Sequence, residues 1–176
     1  MKPAAPAMRS ASQHKAFLSI GSNMGDKLAH CRFAIASLGT LQGAAVSGLS
    51  PFYRTAPVDY TDQDWFINAA VRLATVLDPL ALLRAIRGIE NAAGRVRGPI
   101  RGGPRTLDID LLFYDDAIIH LPELEVPHPR LHERRFVLQP VCDIEPEFIH
   151  PVRGCTVQSL LAQLDTEAQE VFPLDD

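Results

Sequence analysis

Asp108 and Asp110 stand two residues apart in a stretch that alternates like a β-strand, Arg105–Tyr114 (RTLDIDLLFY). In a strand, residues i and i+2 point to the same face, with Cα atoms roughly 7 Å apart. Two carboxylates then project side by side, and their repulsion is unfavourable unless a cation sits between them. Oxygen-only ligands suit Mg²⁺, which is typically held by one or two carboxylates plus substrate phosphates. A simpler alternative is an acidic edge strand facing water. The apolar strand around the pair, and the arginine-rich loop before it, favour the metal–phosphate reading.

That loop, Gly94–Pro104 (GRVRGPIRGGP), carries Arg95, Arg97 and Arg101 among glycines and prolines, and Arg105 follows it. Guanidinium forks match phosphate geometry, and glycines let the backbone approach and move. A solvated basic loop is the simpler reading of such a run in isolation. Beside paired carboxylates it becomes equipment for metal-assisted phosphoryl transfer, with cations clamping a polyphosphate. The Walker A pattern is absent, which excludes a P-loop NTPase.

Phe66 and Asn68 share one face of a second strand, with Tyr53, Thr55 and Trp65 near them in sequence and Phe136 further on. A flat heterocycle wants a ring on each side and an amide at its edge. Taken alone, these residues read more simply as core rings and a local capping amide. His128 and His132 form an H-x3-H pair, but Pro129 disfavours a shared helix and no third ligand is evident. Zinc is therefore set aside.

These candidates sit in a chain of 176 residues, 47% hydrophobic and 22% charged, which is ordinary globular composition for one domain. A net charge of −4 argues against a broad nucleic-acid-binding face. An RNA-binding module of similar topology would also need exposed aromatics in an RNP-type motif, which the sequence lacks. Cys31, Cys142 and Cys155 are odd in number and widely spaced, so neither a disulfide framework nor a zinc knuckle is indicated. A reducing cytoplasm is the expected compartment. No apolar run is long enough to span a bilayer, and residues 1–14 read as a flexible tail ahead of a single domain over 15–176. Nothing demands more than a monomer.

The elements that must position the candidates follow in order. Lys15–Ile20 reads as a strand ending at Gly21-Ser22-Asn23. Leu28, Cys31, Ile35 and Leu38 repeat at helical spacing, with Ser22, Asn23 or Asp26 as N-cap and Gly39 as a stop. Residues 45–54 read as a strand interrupted at Pro51, and 65–76 as another. Asp78-Pro79 opens a second helix that Gly94 ends. In the strand after it, Leu107, Ile109, Leu111 and Phe113 fall on one face. The order β-α-β-β-α-β predicts an α+β, ferredoxin-like fold: an antiparallel sheet with both helices on one face. C-terminal helical additions are expected near 135–142 and 156–164.

The segment Arg101-Gly-Gly-Pro-Arg-Thr-Leu-Asp-Ile-Asp-Leu-Leu112 closely resembles the signature of the 6-hydroxymethyl-7,8-dihydropterin pyrophosphokinases of folate biosynthesis. Ile20-Gly-Ser-Asn23, Phe52-Tyr-Arg-Thr-Ala-Pro57 and Phe66-Ile-Asn-Ala-Ala70 also resemble segments of that family. So do Gly94-Arg-Val-Arg97, Val126-Pro-His128 and Arg134-Arg-Phe136, in the right order. The resemblance implies transfer of the β,γ-pyrophosphoryl group of ATP to the pterin hydroxymethyl, releasing AMP. It implies that Asp108 and Asp110 hold two Mg²⁺ ions along the triphosphate. Arg95 and Arg105 would stabilise the transferring group, with Arg97 reaching in from the loop. Phe66 and Phe136 would sandwich the pterin, with Asn68 and Thr55 at its edge. Glu90, Arg97, His128 and Arg134 would line the nucleotide side. Asp110 is the candidate proton acceptor. A non-catalytic pterin- or nucleotide-binding paralogue is the alternative, and the intact carboxylate and arginine pairs speak against it.

The chain also departs from the pattern. Gly102 stands where many members carry a tryptophan that helps seal the closing loop, and Gly98 where lysine is common. Arg87 replaces a frequent glutamine, and Pro129 a frequent ring residue. The expectation is either looser closure or closure that relies on Trp65 or Ile100 instead.

Overall fold

A computed structural model of the chain describes residues 13–94, 102–165 and 167–174. Arg95, Arg97, Ile100 and Arg101 lie outside the described residues. The first strand, β1, spans His14–Ser22 and is followed by α1 over Lys27–Gly39. Asp26 caps α1 by accepting the Ala29 N–H at 3.0 Å. Gly39 is the helix's last residue rather than its stop; Thr40 takes the C-cap. The interrupted strand resolves into β2 (Ala44–Leu49) and β3 (Tyr53–Thr55), with the break at Ser50-Pro51-Phe52. β4 covers Phe66–Thr75 and α2 covers Pro79–Ala92, its N-cap Asp78 accepting the Ala81 N–H. β5 is Asp108–Tyr114.

β5, β1, β4, β3 and a C-terminal strand, Val171–Pro173, lie side by side, with β2 also on β4. All pairings are antiparallel. Between β5 and this C-terminal strand run a small hairpin, β6 (Ile119–Leu121) with β7 (Leu124–Val126), a 3-10 turn at Leu131–Glu133, and two helices. These helices are α3 (Arg135–Ile144) and α4 (Val157–Ala162), and β8 is Val171–Pro173. No helix among the described residues is long and apolar enough to cross a membrane.

The predicted α+β arrangement is present. Cys31, Ala34 and Leu38 of α1 and Leu82, Ile86 and Ile89 of α2 share one core with Leu18, Ile20, Val71 and Ile109 of the sheet. The C-terminal additions cover the other face, where Val137, Leu138 and Val141 of α3 and Val157 and Leu160 of α4 pack on Phe17, Ala70 and Phe113. Two expectations need correction. Phe113 does not share a face with Leu111: the register with β1 shifts between Phe17 and Leu18, and Phe113 joins the second core. An extra residue in one strand flips every side chain beyond it. His14 belongs to β1 rather than to the tail, because Asp115 bonds both its ring and the Lys15 N–H.

Candidate active site

The second face of the sheet is helix-covered at one end only. At the other end the strand residues are small or polar. Asp108 pairs with Gly21 across β5 and β1, Gly21 with Asn68 across to β4, and Asn68 with Tyr53 on β3. Asp110 pairs with Ser19, and Phe66 with Thr55. Directly paired residues project to the same face, so this row assembles the acidic pair, the amide, the hydroxyl and a ring. Ser19, Gly21, Thr55, Phe66, Asn68, Asp108 and Asp110 floor an open cleft, whose walls include Pro57, Val58, Asp59, Gly102, Arg105, Arg134 and Phe136.

Gly21 is fixed by this geometry. A Cβ there would lie 2.6 Å from the Asn68 Oδ1. The buried Asn68 amide donates to the Thr55 hydroxyl at 2.6 Å, which sets its orientation. Phe66 and Phe136 face the cleft from β4 and α3.

Asp110 carries the strongest electrostatic signature. Burial and the neighbouring Asp108 charge push its carboxyl up to about 7. Arg105 bonds Asp108 directly. The Arg105 backbone is clamped by Asn23, whose Oδ1 accepts the Arg105 N–H at 2.7 Å and whose own N–H donates to the Arg105 carbonyl. The same Asn23 amide donates to Gln63 Oε1 and the Asp64 carbonyl, and Gln63 donates to the Gly102 carbonyl at 2.8 Å. Thus the turn after β1 ties the loop before β5 to the loop before β4.

Two half-buried carboxylates side by side, one raised by burial and by the charge of the other, are a donor set suited to a hard divalent cation. Among the described residues no group of three or more His, Cys, Asp or Glu side chains gathers to hold a metal. The remaining ligands would have to come from substrate and water, as Mg²⁺ prefers.

Asp110 also lines a second groove, adjacent to the first, with Glu90, Arg87, Leu111, Glu123 and His128. Glu90 is buried and accepts the Ile109 N–H at 2.8 Å, tying α2 to the edge strand between the two aspartates. His128 is held neutral, its ring pushed down to about 4 mainly by burial and then by the Arg134 charge. Its Nδ1 accepts the Arg130 N–H. The structure therefore brings Asp108, Asp110, Arg105, Arg134, Thr55, Phe66, Asn68 and Phe136 to one cleft, and Glu90 and His128 to its neighbour. Arg95 and Arg97 are outside the described residues.

Some features escaped sequence reasoning. Asp59 sits between two guanidiniums, accepting from Arg130 at 2.7 and 3.1 Å and from Arg134 at 3.0 Å. The side chain of Arg134 is 16% exposed, and its buried Nε has no partner among the described residues. A lone acid in a polar loop carries no periodic signal that would have singled it out. Trp65 does not seal the cleft. It stacks on Phe172 at 6.1 Å and under the Arg54 guanidinium.

Fold and site together define a ferredoxin-like α+β domain with a cleft of carboxylates, arginines and rings on the uncovered half of one sheet face. Comparison with known proteins sharpens this. The family 7,8-dihydro-6-hydroxymethylpterin-pyrophosphokinase (HPPK) matches residues 17–146. A 2-amino-4-hydroxy-6-hydroxymethyldihydropteridine pyrophosphokinase of Methylorubrum extorquens is 44% identical over 156 residues, covering 89% of this chain and 97% of that protein. The Bacillus subtilis protein of the same name is 43% identical over 129 residues, covering 73% and 77%. The folic acid synthesis protein fol1 of Schizosaccharomyces pombe is 36% identical over 157 residues; these make up 89% of this chain but 21% of that longer protein. A structure of a triple mutant of Plasmodium falciparum HPPK-DHPS with STZ-DHP superposes with a TM-score of 0.70 at 18% identity, over 89% of this chain and 44% of that one, and speaks to the fold. The chain belongs to the HPPK family.

Proposed function

We propose that the protein transfers the β,γ-pyrophosphoryl group of ATP to the hydroxymethyl oxygen of 6-hydroxymethyl-7,8-dihydropterin, giving AMP and the pterin diphosphate. The observation that carries this reading is a single cleft in which Asp108, Asp110 and Arg105 adjoin Phe66, Asn68, Thr55 and Phe136, in a chain of this family. The pterin ring lies between Phe66 and Phe136, and its polar edge meets Asn68 and Thr55. The hydroxymethyl then points toward the aspartates. The nucleotide occupies the adjoining groove beside Glu90 and His128, so its phosphates run over Asp110, the residue common to both.

The pterin oxygen attacks the β-phosphorus, the bond from that phosphorus to the α–β bridging oxygen breaks, and AMP leaves with that oxygen. Mg²⁺ on Asp108 and Asp110, two ions with ATP, would neutralise charge along the triphosphate. Arg105 and Arg134 supply fixed positive charge at the rim, and Arg95 and Arg97 would add theirs from the loop. Asp110 is the candidate acceptor of the hydroxyl proton, and as a metal ligand it would act as a weak base. Holding the reactants in line accounts for much of the expected rate gain.

The test mixes protein, ATP, Mg²⁺ and 6-hydroxymethyl-7,8-dihydropterin and identifies the nucleotide product. AMP with a pterin diphosphate is expected. ADP would mean simple phosphoryl transfer, and binding without turnover would mean a non-catalytic paralogue.

A further inference from the structure

The family match ends at residue 146, and the chain beyond it returns to the site. β8 adds to the edge of β3, placing Val171 opposite Thr55. The Ala56 N–H donates to the Glu170 carbonyl at 3.0 Å, and the Leu174 N–H to the Phe52 carbonyl at 2.8 Å. Just before the strand, Gln169 reaches the opposite wall of the cleft. Its Oε1 accepts the Arg135 N–H at 2.7 Å and its Nε2 donates to the Glu133 carbonyl at 2.8 Å. Its own carbonyl accepts from Arg135 Nη1 at 3.0 Å.

Helix α3 starts at Arg135, and its N-cap residue Arg134 makes no side-chain capping bond. First-turn N–H groups need an acceptor from somewhere. Gln169 supplies one from far along the chain. Its two side-chain bonds grip the backbone on either side of Arg134, and Phe136 is the next residue on. One short segment therefore ties the wall bearing Thr55 to the wall bearing Arg134 and Phe136.

We propose that Gln169 is a positioning residue for the transfer reaction, setting the spacing between these two walls across which the pterin is held. The inference rests on the functional reading above. Gln169 does not line the cleft itself. It acts through Arg134 and Phe136, because any tilt of α3 away from β3 must break its bonds. The ring is held between the two walls, and a gap of about 0.5–1 Å forfeits a quarter to a half of each dispersion contact, so a brace at this point acts chiefly on how tightly the pterin is held.

The test compares the full-length wild type with Gln169→Ala and Gln169→Glu. Glutamate keeps the acceptor for the Arg135 N–H and loses the donor to Glu133. Three readouts are taken: kinetics with ATP and 6-hydroxymethyl-7,8-dihydropterin, amide exchange over 133–138, and Trp65 fluorescence. Trp65 is the sole tryptophan and stacks on Phe172, so it reports whether β8 is docked. Gln169→Ala is expected to raise the pterin KM roughly tenfold, more than it lowers kcat. It should speed exchange over 133–138 and leave the fluorescence unchanged, with Gln169→Glu intermediate. A wild-type pterin KM in Gln169→Ala overturns the proposal. So does a fluorescence change that accompanies the KM shift, because the effect then belongs to undocking of the whole strand. If the wild type itself fails to turn over, the functional reading falls separately. Unchanged exchange over 133–138 in Gln169→Ala then overturns the brace, and faster exchange supports it.

Discussion

The two ends of one sheet face make opposite use of the same strands. On β1, Phe17 packs against Phe113 and Phe148 beneath α3 and α4, while Ser19 and Gly21, further along, floor the cleft. On β5, Leu112 and Phe113 are in the core, while Asp108 and Asp110 face the opening. Large apolar side chains at one end draw helices onto the sheet. Glycine, serine and carboxylates at the other end leave nothing for a helix to bury. The site is thus the part of the face that the core does not claim, and it inherits the rigidity of strands anchored next door.

The largest expected break in this comparison is chemical. Asp110→Ala should lower turnover by at least about 10²–10³-fold in the AMP-release assay, with thermal stability unchanged or higher because the repulsion from Asp108 is removed. A stability loss comparable to a core mutation would show that the open end is load-sharing after all.

The mirror image is Phe113→Ala at the packed end. Its ring is 1% exposed, and its loss should cost about 3–5 kcal/mol in urea unfolding. Activity per folded molecule should persist. If activity vanishes while the protein stays folded, the two ends are coupled more tightly than their packing suggests.

Gly21→Ala tests the floor of the cleft directly. The added Cβ forces Asn68 to shift, and the pterin KM should rise on the order of tenfold, since a site built to hydrogen-bond its substrate discriminates strongly. An unchanged pterin KM would remove Asn68 from the recognition edge.

Gly102→Trp probes the loop. Gly102 has φ +76°, and its Cβ would meet the Asp59 Cβ at 3.3 Å. Tryptophan here should strain the backbone by about 1 kcal/mol and loosen the bonds from Asp59 to Arg130 and Arg134, rather than tighten ATP binding. Improved ATP affinity in a binding titration would restore the loop-seal expectation.

The smallest effect is in pH. His150, packed edge-on against Phe113, and His128 are both pushed down to about 4, chiefly by burial. Below the ordinary histidine value of 6.5 the unfolded chain takes up protons that the folded one refuses. Their contribution to stability is therefore full above 6.5 and is lost as pH falls toward 4. Asp110 works the other way. Raised from 3.8 to about 7, it binds a proton in the folded state first, so its unfavourable contribution fades as pH falls through 7. In EDTA, Asp110→Asn should be more stable than wild type at neutral pH and lose stability more steeply between 6.5 and 4. Parallel urea-midpoint curves for the two proteins would refute this opposition.

Much of the fold was legible because it rests on local patterns. Asp78-Pro79 marks the start of α2, and the alternation of Leu107, Ile109 and Leu111 marks β5, by chemistry that acts over a few residues. The fold class followed from element order, and Asp108 with Asp110 followed from the period of a strand. The bulge that turned Phe113 over was not legible, since it depends on register with β1 and not on the segment itself. Trp65 was misplaced as a seal for the same reason: its partner, Phe172, arrives from the far end of the chain.

The residue types that bind phosphate, metal and a flat ring, and the strands that carry them, are properties of short segments, and the chain states them plainly. Which of these segments meet is a matter of contact between distant parts. Asn23 reaching Arg105, Asp59 reaching Arg130 and Arg134, and Gln169 reaching α3 have no periodicity and no motif. Each is a hydrogen bond whose partner lies tens of residues away. Burial and geometry in the folded chain fix it, because only there do the two groups lose water and find each other.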